Sequence, residues 1–415
     1  MTDLDNNATT KPDPLVVAAM LAAMEHSWHN PSSIHRAGQE ARRKIELARA
    51  QVAALIGVAA KTIVFTSGGT EAIDLAIRGA LGAALRGRDS KASGPLNIVT
   101  TPLEHSAVRQ LVDELSHERF NTAEAQLRLC QVRRDGTIDA AAVIDLIDDA
   151  TAAVSVQWCN NETGAIMPVA EIAAACRQRG VPFHCDATQW VGKMPTRISP
   201  TVADPAGTDP QSELCDPDFL SFAPHKFHGP KGAGVLYCRP GARFVPRLLG
   251  TQELGRRGGT ENVAGIIGCG VACELAGSWL ADAANRQRLA ALRDRFEQAI
   301  IDAVVAGKCL RDAPVINGPR DARRLWNVTN IAFPTLEAEA LLLALSEKRI
   351  CASAGAACSS GSLDPSPVLL AMGVPRSLAH GSIRFSLSRD SIESEVMDAV
   401  APIAACVQRV AESGT

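Results

Sequence analysis

Short apolar runs rich in β-branched residues alternate with stretches of helical period over most of the first 240 residues, and this alternation limits the fold more than any other feature. The strand candidates are Thr62–Phe65, Asn97–Thr100, Ala153–Gln157, Phe183–Asp186, Phe219–Phe222 and Gly234–Tyr237. Between them lie helix-period segments at Pro14–Ala23, Ala37–Leu55, Thr70–Leu85, Ser106–Leu115, Ala140–Asp148 and Val169–Arg179. Strands separated by helices cannot close as tight hairpins. They need crossover connections, which give a largely parallel sheet with helices on both faces.

The pattern changes after about residue 263. One long amphipathic helix is expected over Leu275–Val304, then strands near Asn327–Phe333 and Ser382–Ser386, with helices around Glu337–Leu345 and Ile392–Ala411. That reads as a smaller α+β unit. The expected division is a large domain over 15–262, with 1–14 and 263–415 forming the small one. The stretch Ser199–Pro217, rich in Pro, Asp, Ser, Thr and Gly, reads as a solvated surface insertion.

Composition narrows the function. Apolar content of 46% and charge of 21% suit a globular chain. A net charge of −3 and a single tyrosine make no case for nucleic acid or an anionic membrane. The early apolar run Leu15–Met24 is too short for a membrane span and lacks the features of a signal peptide, so a cytoplasmic protein is expected. Twelve cysteines without a Cys-x-x-Cys pair then read as reduced thiols, with Cys269 and Cys273 as small core residues. Cys351, at a strand-like end, is also expected in the core.

In open α/β sheets ligands bind at the carboxyl ends of the strands, so the loops there come first. Thr66–Glu71 follows a strand and opens a helix, and its glycines, the Thr70 hydroxyl and the helix N-terminus could cradle a phosphate; a helix cap is the plainer alternative. Asp186 ends the strand Phe183–Asp186, where a carboxylate can keep a ring nitrogen protonated or cap a helix. Lys226, in Ala223–Gly232, stands beside His225 among prolines and glycines and fits a Schiff-base lysine. His225 and His228 have no acidic or cysteine partner at ligand spacing, so no metal site is expected. Cys358 lies among small residues in Ala352–Ser362, a candidate mobile loop from which a thiolate could reach a bound substrate.

Together these tracts resemble the cysteine desulfurases, in the class V aminotransferase group of fold-type I pyridoxal-phosphate (PLP) enzymes, and most closely the NifS type. The resemblance runs through Leu4–Thr10, Asn30–Ser33, Thr66–Glu71, Glu104-His105, Asn160–Gly164, Asp186–Gln189, His225-Lys226, Gly255–Asn262, Cys358–Leu363 and Ser382–Ser388. It implies a large, mainly parallel α/β domain, a smaller α+β C-terminal domain, PLP as cofactor and L-cysteine as substrate. It also implies these roles: Lys226 binds the cofactor, Asp186 pairs with the pyridine nitrogen, His105 stacks on the ring, and Gln189 bonds the phenolic oxygen. Gly69, Thr70 and His225 would hold the phosphate, joined by Thr260 from the partner subunit of a homodimer. Asn161 and Arg384 would receive the substrate carboxylate. Cys358 would take the sulfur as a persulfide and pass it to an acceptor protein such as an iron–sulfur scaffold.

The chain departs from that pattern at Ala223, where a hydroxyl or thiol is frequent, at Pro224, at Leu249–Gln252, and at Ala354 and Ala356, which replace serines. None of these removes a catalytic group. Use of selenocysteine, another reaction of the same enzyme class, and a silent scaffold role remain the competing readings.

Overall fold

The computed structural model describes residues 1–87, 94–116, 125–198, 214–321, 323–355 and 364–413. Cys358 and most of the 199–217 stretch lie outside the described residues.

The large sheet has seven strands, ordered Ile63–Thr66, Gly234–Cys238, Phe219–Phe222, Phe183–Asp186, Thr151–Gln157, Leu96–Thr100 and Ala125–Leu129. Four neighbouring pairs are parallel. Gly234–Cys238 is antiparallel to both its neighbours, so it alone runs against the other six. The carboxyl ends of those six strands therefore face one edge of the sheet.

Residue choice explains why these strands are covered on both faces, the edge strand Ile63–Thr66 included. Ile63–Thr66, Phe183–Asp186 and Phe219–Phe222 are buried throughout, as strands covered on both faces must be. Gly234 opens the reversed strand at the same edge, and any Cβ there would come within 2.3 Å of the Gly68 backbone. Only glycine lets the loop through Gly68 lie against that strand.

Beyond residue 262 the chain adds a three-stranded antiparallel sheet, ordered Ser382–Ser386, Val328–Ala332 and Val315–Asn317. The N-terminal Thr2–Asp3 pairs in parallel with Ile350–Cys351, so the first residues join the C-terminal part.

Several expectations need correction. The single helix over Leu275–Val304 is two, Val263–Leu280 and Ala283–Ala306; Asp282 caps the second by accepting from the Ala284 N–H at 2.9 Å. Ile392–Ala411 likewise splits into Glu393–Asp398 and Val400–Ser413. Ala140–Asp148 shortens to Ala140–Ile144. Cys351 is half-buried and not in the core. Val263–Leu280 is long and apolar enough to cross a membrane by composition; it packs against the helices Pro14–His26 and Arg36–Ile56 as an internal layer. Cys269 and Cys273 are buried in it, as expected.

Candidate active site

At the shared edge of the six co-directional strands lies a cavity of about 200 Å³, room for a single ring-sized ligand. Gly69, Thr70, His105, Asn161, Asp186, Gln189, His225 and Lys226 all line it. They come from five connections that follow five different strands. Gly69 and Thr70 begin the helix Gly69–Gly87, directly after Ile63–Thr66. His105 follows Leu96–Thr100, Asn161 follows Thr151–Gln157, Asp186 ends its strand, and Lys226 sits in the short helix Pro224–Lys226 after Phe219–Phe222.

The protonation states follow from burial and neighbours. His105 Nδ1 accepts from the Ala107 N–H at 3.1 Å, which leaves the proton of a neutral ring on Nε2. Burial lowers the His105 pKa despite the Asp186 carboxylate nearby, so the ring is neutral at pH 7. His225 is pushed down to about 4, by burial first and then by Lys226, and is neutral too. Glu104 is pushed up to about 8 by burial, so this carboxyl beneath the site keeps its proton near neutrality. Its Oε1 accepts from Thr101 Oγ1 at 2.9 Å and from the Gln157 N–H at 3.0 Å.

Lys226 Nζ donates to the carbonyls of Asn7 and Ala8, both at 2.9 Å. Asp186 Oδ1 accepts from the Thr188 N–H at 3.0 Å. Thr188 Oγ1, in the cavity wall, is buried without a hydrogen-bond partner among the described residues, and lies 3.4 Å from where a Cβ on Gly69 would be. A buried hydroxyl left unsatisfied beside a helix N-terminus is what a bound anion would complete. With an amine, a carboxylate and neutral donors at the helix end, the residues of the cavity fit PLP.

Two expected residues are placed elsewhere. Thr260 is exposed and lines a separate cavity with Ser67, Arg257 and Gly259, so it does not reach the site of its own chain. Arg384 does not line the cavity either. Its buried guanidinium donates to the Asn161 carbonyl at 3.1 Å and pairs with Asp5 at 2.8 Å. It therefore stands one residue behind the wall, already holding a carboxylate.

Sequence reasoning assigned no role to Asn7, Asp5, Thr188 or Lys193. Asn7 joins the layers: its side chain accepts from Lys193 and Asn327 and donates to the Asn161 carbonyl. Asn7, Asp5 and Thr188 all fall inside tracts that carried the resemblance, which was the available signal.

The described residues on either side of the segment bearing Cys358 come close to Glu162. Ser366 Oγ donates to Glu162 Oε2 at 2.5 Å, and a Cβ on Gly355 would meet the same oxygen at 3.2 Å. Glu162 directly follows Asn161.

Residues 3–398 match the family described as Aminotransferase class-V. A cysteine desulfurase of Enterobacter agglomerans is 42% identical over 98% of this chain and 92% of its own. The cysteine desulfurase NifS of Azotobacter vinelandii is 40% identical over 98% of this chain and 93% of its own. Among solved structures, a NifS-like protein superposes with a TM-score of 0.82 at 31% identity, covering 97% of this chain and 98% of that one.

Proposed function

We infer the reaction from one premise: the chain belongs to the class-V aminotransferase family. It is a PLP-dependent cysteine desulfurase that converts L-cysteine to L-alanine. The observation that carries this is the convergence of Lys226, Asp186, His105 and a buried, partnerless Thr188 hydroxyl on one cavity.

PLP, when bound, supplies an electron sink for the charge left on a substrate carbon that loses its proton. Lys226 would hold the cofactor and take that proton, since it lines the cavity from the short helix Pro224–Lys226. Asp186 would keep the ring nitrogen protonated. The neutral His105 would lie over the ring with its Nε2 proton available for exchange, and His225, Gly69, Thr70 and Thr188 would bind the phosphate as neutral donors. Arg384 and Asn161 would orient the substrate carboxylate, the planar fork of arginine matching its two oxygens.

Cys358 is the sulfur acceptor in this reading. Its thiolate attacks the substrate sulfur; an S–S bond forms as the C–S bond breaks, the carbon takes a proton, and alanine leaves a persulfide behind. The closeness of the flanking Gly355 and Ser366 to Glu162, beside Asn161, supports the assignment.

The unit 15–262 would be the cofactor domain, with 1–14 and 263–415 the smaller one. The protein would act as a homodimer in the cytoplasm, each copy lending Thr260 to its partner's phosphate. Exposed Leu15, Val17, Leu21 and Met24 along the helix Pro14–His26 support an apolar contact with a second chain. The persulfide would pass to a scaffold on which iron–sulfur clusters are built. Purified protein given L-cysteine should form alanine and show a yellow absorbance band, and Lys226→Ala should lose both. A Lys226→Ala protein that keeps them contradicts the reading.

A further inference from the structure

Lys193 is buried behind the cavity wall, and the reaction as described gives it no task. It lies in the turn after Gln189, 4% exposed. Its Nζ donates to Gln189 Oε1 at 2.6 Å and to Asn7 Oδ1 at 2.8 Å. The turn is held against the lysine loop. Gly192 has φ +77°, and a Cβ there would come within 2.4 Å of Phe227, the residue after Lys226.

An amide offers an acceptor at one end and two donors at the other, and its shape hardly distinguishes them. An ammonium has donors only. Lys193 therefore grips the oxygen end of Gln189 and turns Nε2 away from itself. One Nε2 hydrogen goes to the Asn7 carbonyl at 3.0 Å. The other is given to no described residue, and Gln189 lines the cavity.

We propose that Lys193 is a positioning residue that fixes Gln189 as a hydrogen-bond donor into the cavity, and so selects a ring bearing an acceptor oxygen. The inference rests on the reading that the cavity holds PLP, whose phenolic oxygen is such an acceptor. Keeping a charged amine here is costly. Burial, with Lys226 and then Arg384 close by, pulls its pKa down to about 7, so the donors-only ammonium is the main form below that pH, where the binding test is made. A methionine would fill the same space without that cost, but it would leave Gln189 Oε1 unsatisfied.

The test is equilibrium binding to apoprotein of PLP and of 3-deoxypyridoxal phosphate, the same ring without the phenolic oxygen. Lys193→Met and Gln189→Leu should each reduce the preference for PLP about tenfold, the worth of one hydrogen bond. The double variant should lose no more than either single one, because Lys193 acts through Gln189. Lys193→Gln, which keeps a donor for Gln189 Oε1, should retain most of the preference. It carries the test alone if the methionine variant does not fold. A Lys193→Met protein with wild-type preference, a double loss equal to the product of the single losses, or a Lys193→Gln variant as poor as methionine overturns the proposal. Wild-type protein that binds neither ring refutes the cofactor reading itself, and is thereby distinguished from failure of the Lys193 assignment.

Discussion

Replacing Asp5 with asparagine should destabilise the protein and make a substrate-like carboxylate stabilise it more. Arg384 is 1% exposed and has one ion-pair partner among the described residues, Asp5. Of its five N–H groups, one goes to the Asn161 carbonyl and one to Asp5, while Nε is buried without a partner among the described residues. Removing one member of a buried pair costs about 3–5 kcal/mol, because a charge is left behind. Asp5 is 22% exposed, so water screens part of the pair, and asparagine can still accept a bond from the guanidinium. About 2 kcal/mol is therefore expected, a shift of a few degrees in melting temperature for a chain of this size. L-Alanine carries the carboxylate without a sulfur to lose. Melts of cofactor-loaded protein with and without it should show a larger stabilisation in Asp5→Asn than in wild type, since the ligand replaces the missing charge. An unchanged melting temperature, together with equal stabilisation by alanine, would refute the claim that Asp5 balances Arg384 until substrate arrives.

Thr188→Val should act in opposite directions on the two states of the protein. Without cofactor it removes a buried unsatisfied hydroxyl and should raise stability by about 1 kcal/mol; with PLP it should weaken binding about tenfold, and thermal melts and a binding titration read the two effects. A second test follows from Lys193, whose folded pKa near 7 lies below its ordinary 10.5. Between those values the unfolded chain binds more protons than the folded one, so stability should rise with pH through the window, and its cost is greatest below pH 7. Denaturant titrations of apoprotein from pH 7 to pH 9 should show that rise, and Lys193→Met should flatten it.

Where local pattern decides the structure, the sequence was easily read. Phe183–Asp186, Phe219–Phe222 and Val169–Arg179 form where their apolar runs and helical spacing place them. The edge strand Ala125–Leu129 escaped notice because only Ala125 is buried and polar residues interrupt the run. The reversal of Gly234–Cys238 was hidden for another reason: a buried strand has the same composition in either direction. The break at Asp282 was masked by helix-forming alanines on both sides. At the site, Asp186 stands out because it closes a strand, and Lys226 because it lies in a distinctive loop just after one. The Asp5–Arg384 pair joins residues 379 apart, and Lys193 looks like an ordinary surface lysine until folding buries it against Gln189 and Asn7. Such partners are set by tertiary packing, on which local spacing carries no information.

The central claim is that sulfur leaves cysteine for Cys358. Protein incubated with L-cysteine, alkylated, digested and examined by mass spectrometry should carry one extra sulfur atom on the peptide containing Cys358. Alanine should appear in equal amount during the first turnover, and Cys358→Ala should carry no such sulfur while keeping the yellow cofactor band. Alanine formed at the wild-type rate by Cys358→Ala, or sulfide released by wild type with no persulfide on Cys358, would contradict the account.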